Sequence, residues 1–132
     1  MYVPFVNHIF VYGTLRAGHH ANRSFGMDRL AKHVQTCDLF GAAIYHLGGF
    51  PGLLFTDNPY DFVTGDLYEI KDARLLESLD SYEGYHEDDP ERSLYIRRTI
   101  EVLGKKAYTY EYNGVIRDQA TRIKSGDWDK AA

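Results

Sequence analysis

The sequence predicts a small α+β domain, a mixed β-barrel with one main helix and short helical segments. Three observations predict it. Short runs rich in β-branched and aromatic residues recur along the chain between glycine-containing turns. Only "DARLLESLDSYEG" has a convincing helical leucine spacing. The length of 132 residues suits one domain, so we expect a single domain over 1–132.

The first half of the chain is mostly extended in this prediction. A strand over 9–12 ("IFVY") runs directly into the turn Gly13-Thr14-Leu15. The following stretch has no clean apolar period, which predicts a loop with at most a short helix at 24–30. Extended structure is expected again over 34–45, interrupted at Gly41, before the tight excursion "HLGGFPG".

The second half contains the helix and a hairpin. "FVTGDLYEI" predicts a strand in which Gly65 marks a bulge or a close backbone approach. The helix is expected to begin after Asp72 as N-cap and to end at Gly84. "YIRRTIEVL" and "KAYTYEYNG" then predict two strands joined at Gly104-Lys105.

Composition excludes several classes of protein. The formal charge of −4 argues against a nucleic-acid partner, because such binding depends on clustered basic residues. The sequence contains no apolar run near the ~20 residues of a membrane span, and "MYVPFVNHIFVYG" lacks the features of a secretory signal. We therefore expect a cytoplasmic protein, a monomer or weak homodimer, without a nucleic-acid or membrane partner. The single cysteine, Cys37, is interpreted as a small packed hydrophobe.

Three features are candidates for chemistry. The turn Gly13-Thr14-Leu15 offers successive backbone N–H donors that suit a carboxylate or an oxyanion, although a glycine turn alone also explains it. Glu83 comes directly before the helix-ending glycine and between two tyrosines, where its pKa can rise toward the range of a general base. Alone, such a glutamate is more often a surface residue.

The third candidate is the pair Arg97 and Arg98. Adjacent strand residues point to opposite faces, so one arginine should face the core with a carboxylate partner. Arg16 is interpreted as a surface or loop-pinning residue. The six histidines form no i, i+4 pair, so we expect no metal site.

Taken together and in order, the motifs of the chain resemble those of the gamma-glutamylcyclotransferase-like family, and most closely its gamma-glutamylamine cyclotransferase branch. The motifs are "FVYGTLR", "GGFPG", "GDLYEI", "LDSYEGY", "YIRRTIEV" and "SGDW". The resemblance implies a barrel with short helices and a reaction without a cofactor. In that reaction the α-amine of a γ-glutamyl compound attacks its own γ-amide carbonyl, which yields 5-oxoproline and a free amine.

The resemblance also implies roles for particular residues. Glu83 takes the place of the catalytic glutamate, and Gly13, Thr14 and Leu15, with Tyr12 nearby, take the place of the substrate-binding loop. The acidic loop 86–91 is expected to border the pocket mouth, where it would suit a cationic leaving amine. A non-catalytic domain that binds a small carboxylate or γ-glutamyl ligand on the same fold is the alternative function.

Overall fold

The computed structural model describes residues 6–131. Residues 1–5 and residue 132 of the predicted 1–132 domain lie outside this range. Residues 1–5 also begin the segment in which no secretory signal is expected. The strands are β1 (His8–Val11), β2 (Ala31–Phe40), β3 (Ala42–His46), β4 (Pro51–Phe55), β5 (Phe62–Ile70), β6 (Tyr95–Val102) and β7 (Lys105–Tyr112). The α-helices are α1 (His20–Ser24), α2 (Met27–Leu30) and α3 (Arg74–Tyr82), and 3-10 turns lie at Pro90–Arg92, Gln119–Thr121 and Trp128–Lys130.

The strands form two sheets. The larger has the order β2-β5-β1-β7-β6, in which β1 and β7 run parallel and the other neighbours antiparallel. The smaller is the antiparallel pair of β3 and β4. The predicted α+β class is confirmed. The predicted barrel is open, because β2 and β6 remain as the two edges of the larger sheet among residues 6–131.

The central strand β1 is buried on both of its faces. Ile9 and Val11 belong to one core cluster, and Phe10 and Tyr12 belong to another. This alternation follows from the two-residue period of a strand. One face of the larger sheet packs against the helices and the other against β3 and β4, which explains why "IFVY" contains no polar residue.

Helix α3 packs its leucines against the first of these clusters. Leu75 and Leu79 are fully buried, as the predicted spacing requires. The helix begins one residue later than expected, with Ala73 at the N-cap, although Asp72 still accepts the Arg74 backbone N–H at 2.9 Å. Gly84, with a φ of 66°, ends it as predicted. No helix within the described range has the length and apolar character needed to cross a membrane.

Three local predictions are refined by the structure. One short helix was expected at 24–30, where α2 lies, and a second short helix, α1, precedes it at His20–Ser24. The β6–β7 turn is Leu103-Gly104, one residue earlier than predicted, and both residues have the positive φ that a two-residue hairpin turn favours. Gly65 does allow a close approach, since a Cβ there would lie 2.5 Å from the Val11 carbonyl oxygen.

Cys37 is partly buried and packs against the core as an apolar residue would. Burial, followed by the nearby Asp38, raises the pKa of its thiol. A raised pKa leaves less of the nucleophilic thiolate at neutral pH, which agrees with the packing role inferred from sequence.

Candidate active site

One cavity of about 240 Å³ is lined by all five residues predicted to form the site. They are Tyr12, Gly13, Thr14, Leu15 and Glu83. The turn reaches the cavity because it follows the C-terminal end of β1, and the glutamate reaches it because it follows α3. Two segments that are far apart in sequence thus face a common space.

The turn presents backbone donors that no protein group uses. The Gly13 carbonyl accepts the Arg16 N–H at 3.0 Å, and the Leu15 carbonyl accepts the Asn22 side-chain amide at 2.7 Å. Within residues 6–131, the N–H groups of Gly13, Thr14 and Leu15 have no acceptor. Three successive donors of this kind suit an anionic group or a developing oxyanion.

Close packing explains the glycine at position 13. Its φ is not positive, and the space where a Cβ would lie is filled by protein. A Cβ there would be 2.6 Å from Cγ of Pro51. The glycine therefore lets the "GGFPG" segment pack directly on the turn.

Arg16 is buried, so the surface interpretation is wrong and the loop-pinning one is correct. Its Nη1 lies 2.7 Å from Oδ1 of Asp127, and its Nε lies 3.4 Å from Oδ2 of Asp66. Asp66 Oδ2 also accepts the Ala17 backbone N–H at 3.1 Å. These contacts fix the chain after the turn to β5 and to the C-terminal "SGDW" motif.

The Glu83 carboxylate is available for chemistry. It makes no hydrogen bond or ion pair with any residue in the described range. The side chain is only partly exposed, and desolvation among its neighbours raises the pKa of the carboxyl to about 7. At neutral pH such a group exists in both protonation states, as a general acid and base requires.

Four tyrosines line the cavity, and the hydroxyls of three of them donate to backbone or carboxylate oxygens of the protein, whereas that of Tyr82 lies 3.4 Å from Thr14 Oγ1. The hydroxyl of Tyr12 donates to the Tyr110 carbonyl at 2.7 Å, that of Tyr95 to the Pro51 carbonyl at 2.6 Å, and that of Tyr110 to Asp80 at 2.6 Å. Burial raises the pKa of each of these phenols, so they stay neutral. Tyr12 therefore offers its ring to the cavity, while its hydroxyl holds β1 to β7.

The described residues that line the cavity include few charged side chains that could hold a metal ion or a charged cofactor. Glu83 is the single Asp, Glu, Lys, Arg or His side chain among the lining residues of the described chain. The part of the chain that the structure describes also contains no group of three or more His, Cys, Asp or Glu side chains placed to hold a metal ion.

The predicted inward arginine is Arg97. Its guanidinium pairs with Asp80 on α3, whereas Arg98 is half exposed and pairs with Glu111. Neither arginine lines the cavity. Since Asp80 lies one helical turn before Glu83, this ion pair and the Tyr110 hydroxyl fix the end of the helix that carries the glutamate.

The predicted acidic rim is absent from the cavity wall. No residue of the loop 86–91 lines the cavity, and Leu94, just beyond it, does. Of the two tyrosines that flank Glu83, Tyr82 lines the cavity and Tyr85 packs beneath Arg97. The residues that line the cavity therefore include no acidic partner from this loop for a cationic leaving amine.

Sequence reasoning missed several residues that build the site. Phe50 and Pro51 were recognised only as part of a turn, and Asn22 lies in a stretch without any periodic signal. Tyr95 and Tyr110 could have been found, because a strand that begins or alternates with tyrosine places the rings on one face. Whether these rings face the turn depends on the order of the strands in the sheet, which the sequence does not show.

Comparisons with known proteins identify the family of this chain. The family model described as "Gamma-glutamyl cyclotransferase, AIG2-like" matches residues 9–130. A Niallia circulans protein named "Gamma-L-glutamyl-butirosin B gamma-glutamyl cyclotransferase" is 29% identical over 94% of this chain and 76% of its own length. A Mus musculus protein named "Gamma-glutamylaminecyclotransferase" is 33% identical over 72% of this chain, which spans 62% of the mouse protein.

Solved structures share the fold. An uncharacterized protein from Pyrococcus horikoshii superimposes with a TM-score of 0.71 at 24% identity, covering 94% of this chain and 91% of its own. The AIG2-like protein from Mus musculus gives a TM-score of 0.56 at 27% identity over 89% of this chain and 83% of its own. On the match over 9–130, this chain belongs to the gamma-glutamyl cyclotransferase, AIG2-like family.

Proposed function

We propose that the protein is a cyclotransferase that converts a γ-glutamyl amide into 5-oxoproline and a free amine, with Glu83 as general acid and base and without a cofactor. One observation carries the proposal: among the described residues, the Glu83 carboxylate, whose pKa is raised to about 7, has no hydrogen-bond or ion-pair partner, and it shares a cavity with three residues whose backbone N–H groups have no acceptor. The family match supports the same reaction class.

Glu83 would first remove a proton from the substrate's α-ammonium, because the protonated nitrogen has no lone pair. The freed amine attacks the γ-carbonyl carbon, and the new C–N bond closes a five-membered ring. The bond to the leaving nitrogen then breaks. Over the reaction two protons pass from the attacking nitrogen to the leaving one, so the products are the lactam and an ammonium, and no water is consumed.

The main contribution of the cavity would be to orient the substrate. The nucleophile and the carbonyl belong to one molecule, so the protein must hold that molecule folded. The N–H groups of Gly13, Thr14 and Leu15 bind either the α-carboxylate or the γ-carbonyl oxygen. The first role would appear in KM and the second in kcat, since only the oxyanion develops in the transition state.

A domain that only binds an anion is disfavoured by Glu83 itself. A carboxylate in a cavity without a neighbouring cation opposes the entry of a second negative charge. In the enzyme this cost is useful, because the same carboxylate attracts and deprotonates the α-ammonium.

Product analysis tests the proposal. Purified protein is incubated with γ-glutamyl-butylamide, and 5-oxoproline and butylamine are quantified together. The N-acetyl derivative of the same amide is the matched control, because its blocked nitrogen cannot cyclise. We expect equal amounts of the two products from the free substrate and none from the derivative. Amine released from both compounds would mean hydrolysis, and binding without any turnover would favour the non-catalytic alternative.

A further inference from the structure

The mouth of the cavity is apolar. Phe50, Tyr82 and Leu94 all line the cavity, yet they are 44%, 49% and 52% exposed. They come from three separate segments: the β3–β4 turn, the last residue of α3 and the chain before β6. Large apolar side chains that converge while exposed are typical of a surface that contacts a ligand.

The size of the cavity indicates where the glutamyl moiety and the leaving amine of the substrate lie. At about 240 Å³ it is smaller than the ~300–1,000 Å³ usual for small-molecule sites. The glutamyl moiety must lie inside, where Glu83 and the turn can reach its reacting atoms. The leaving amine is then placed at the mouth, against the three apolar side chains.

Among the described residues, the mouth offers no oppositely charged partner for a charge on the leaving amine. Among the described residues that line the cavity there is no Lys, Arg or His to receive a carboxylate. A second ammonium also lacks a partner, since Glu83 is engaged with the reacting amine and the acidic loop 86–91 does not line the cavity. A charged group brought against apolar side chains loses hydration without compensation.

We propose that the leaving amine of the physiological substrate has an uncharged apolar body, alkyl or aryl, that packs on Phe50, Tyr82 and Leu94. This inference rests on the proposed cyclotransferase function. It identifies the three side chains as determinants of specificity, and it distinguishes apolar amines from amino acids and from diamines.

Two matched pairs of substrates test it. γ-Glutamyl-phenethylamide and γ-glutamyl-phenylalanine differ by one carboxylate, and the γ-glutamyl amides of butylamine and 1,4-diaminobutane differ by one terminal amine. We expect kcat/KM to be at least tenfold higher for the uncharged member of each pair. Lengthening the alkyl chain from methyl to butyl should raise kcat/KM by up to about fourfold per methylene that becomes buried.

The variant Leu94→Glu makes the test specific to the mouth. We expect it to reverse the second pair, so that the diaminobutane amide becomes the better substrate, an effect that partial unfolding cannot produce. Leu103→Glu is the control, because Leu103 is 49% exposed but does not line the cavity, and it should keep the native preference.

The outcomes separate this inference from the function on which it rests. If the native protein forms 5-oxoproline but prefers the charged member of either pair, the apolar assignment is wrong; a preference for the diaminobutane amide would mean that the rings of Phe50 and Tyr82 bind a cation instead. If Leu94→Glu and Leu103→Glu have equal effects, the mouth does not select the amine. If no substrate yields 5-oxoproline, the proposed function fails, and the inference fails with it.

Discussion

The side-chain amide of Asn22 donates a 2.7 Å hydrogen bond to the carbonyl of Leu15, at the end of the turn that lines the cavity. Asn22 is buried, and the same nitrogen also donates to the Tyr68 hydroxyl at 2.9 Å. The contact directs the Leu15 carbonyl toward the interior. The Arg16 N–H donates in the same way to the Gly13 carbonyl, so two carbonyl oxygens of the turn are held by hydrogen bonds.

We therefore expect Asn22→Ala to lower kcat/KM by tenfold or more, because the turn loses one of its two fixed carbonyls. Steady-state kinetics would show whether the loss lies in kcat, as for an oxyanion site, or in KM, as for a carboxylate site. Tyr68→Phe is the control, since it removes the second partner of Asn22 and leaves the bond to Leu15. Equal losses in both variants would mean that Asn22 acts through general stability alone.

Gly13→Ala should lower the free energy of unfolding by about 1–3 kcal/mol, because its new Cβ would overlap the ring of Pro51. Chemical denaturation measures the change. Pro51→Ala removes Cγ and Cδ, the two ring atoms in the way. The double variant should therefore recover part of the loss, and strict additivity of the two single effects would contradict direct contact.

Glu83 should destabilise the folded protein at high pH. Its pKa rises from 4.5 to about 7 on folding, so the folded state binds more protons between these values and stability falls as pH rises through them. Glu83→Gln removes the titrating group. At pH 8 this variant should be more stable than the native protein by about 3 kcal/mol, with the difference vanishing near pH 4.

Thermal unfolding across this pH range provides the measurement. Glu77→Gln, on an exposed position of the same helix, is the matched control and should show no such gain. The quantity to compare is the stability difference between Glu83→Gln and native protein. If this difference is the same at pH 8 as at pH 4, the Glu83 carboxyl is well solvated in the folded protein.

Arg16→Ala should be among the most destabilising single changes outside the apolar core. It leaves Asp66 and Asp127 without their shared buried cation, a loss for which about 3–5 kcal/mol is typical. Arg98→Ala breaks a half-exposed pair with Glu111 and should cost at most about 1 kcal/mol. Urea unfolding measures the loss of stability in each variant. Equal losses would mean that Arg16, Asp66 and Asp127 are hydrated in the folded protein.

The sequence predicted those parts of the structure that depend on local pattern. The alternation in "FVTGDLYEI" matched β5 residue for residue, and the leucine spacing with Gly84 located α3 and so Glu83. What it could not predict depends on long-range packing. The contact of Gly13 with Pro51, the burial of Arg16 and the exclusion of the acidic loop from the cavity all follow from how distant segments meet.

The same limit explains the site. A motif placed the turn and the glutamate in the chain, but only the fold brings Tyr95 and Tyr110 against them. These rings line the same cavity as Glu83, and burial of its carboxyl raises the pKa. The raised pKa of that carboxyl is therefore a property of the tertiary structure, not of the "SYEGY" motif alone.

The role of Glu83 is tested most directly by the turnover number for 5-oxoproline formation at pH 8, compared between native protein and Glu83→Gln at saturating γ-glutamyl-butylamide. Glutamine keeps the shape of the side chain and cannot take a proton. We predict a fall of about 10²–10⁴-fold in kcat for the folded variant. A variant that retains activity within a few-fold of the native protein would show that another group, or the solvent, is the base.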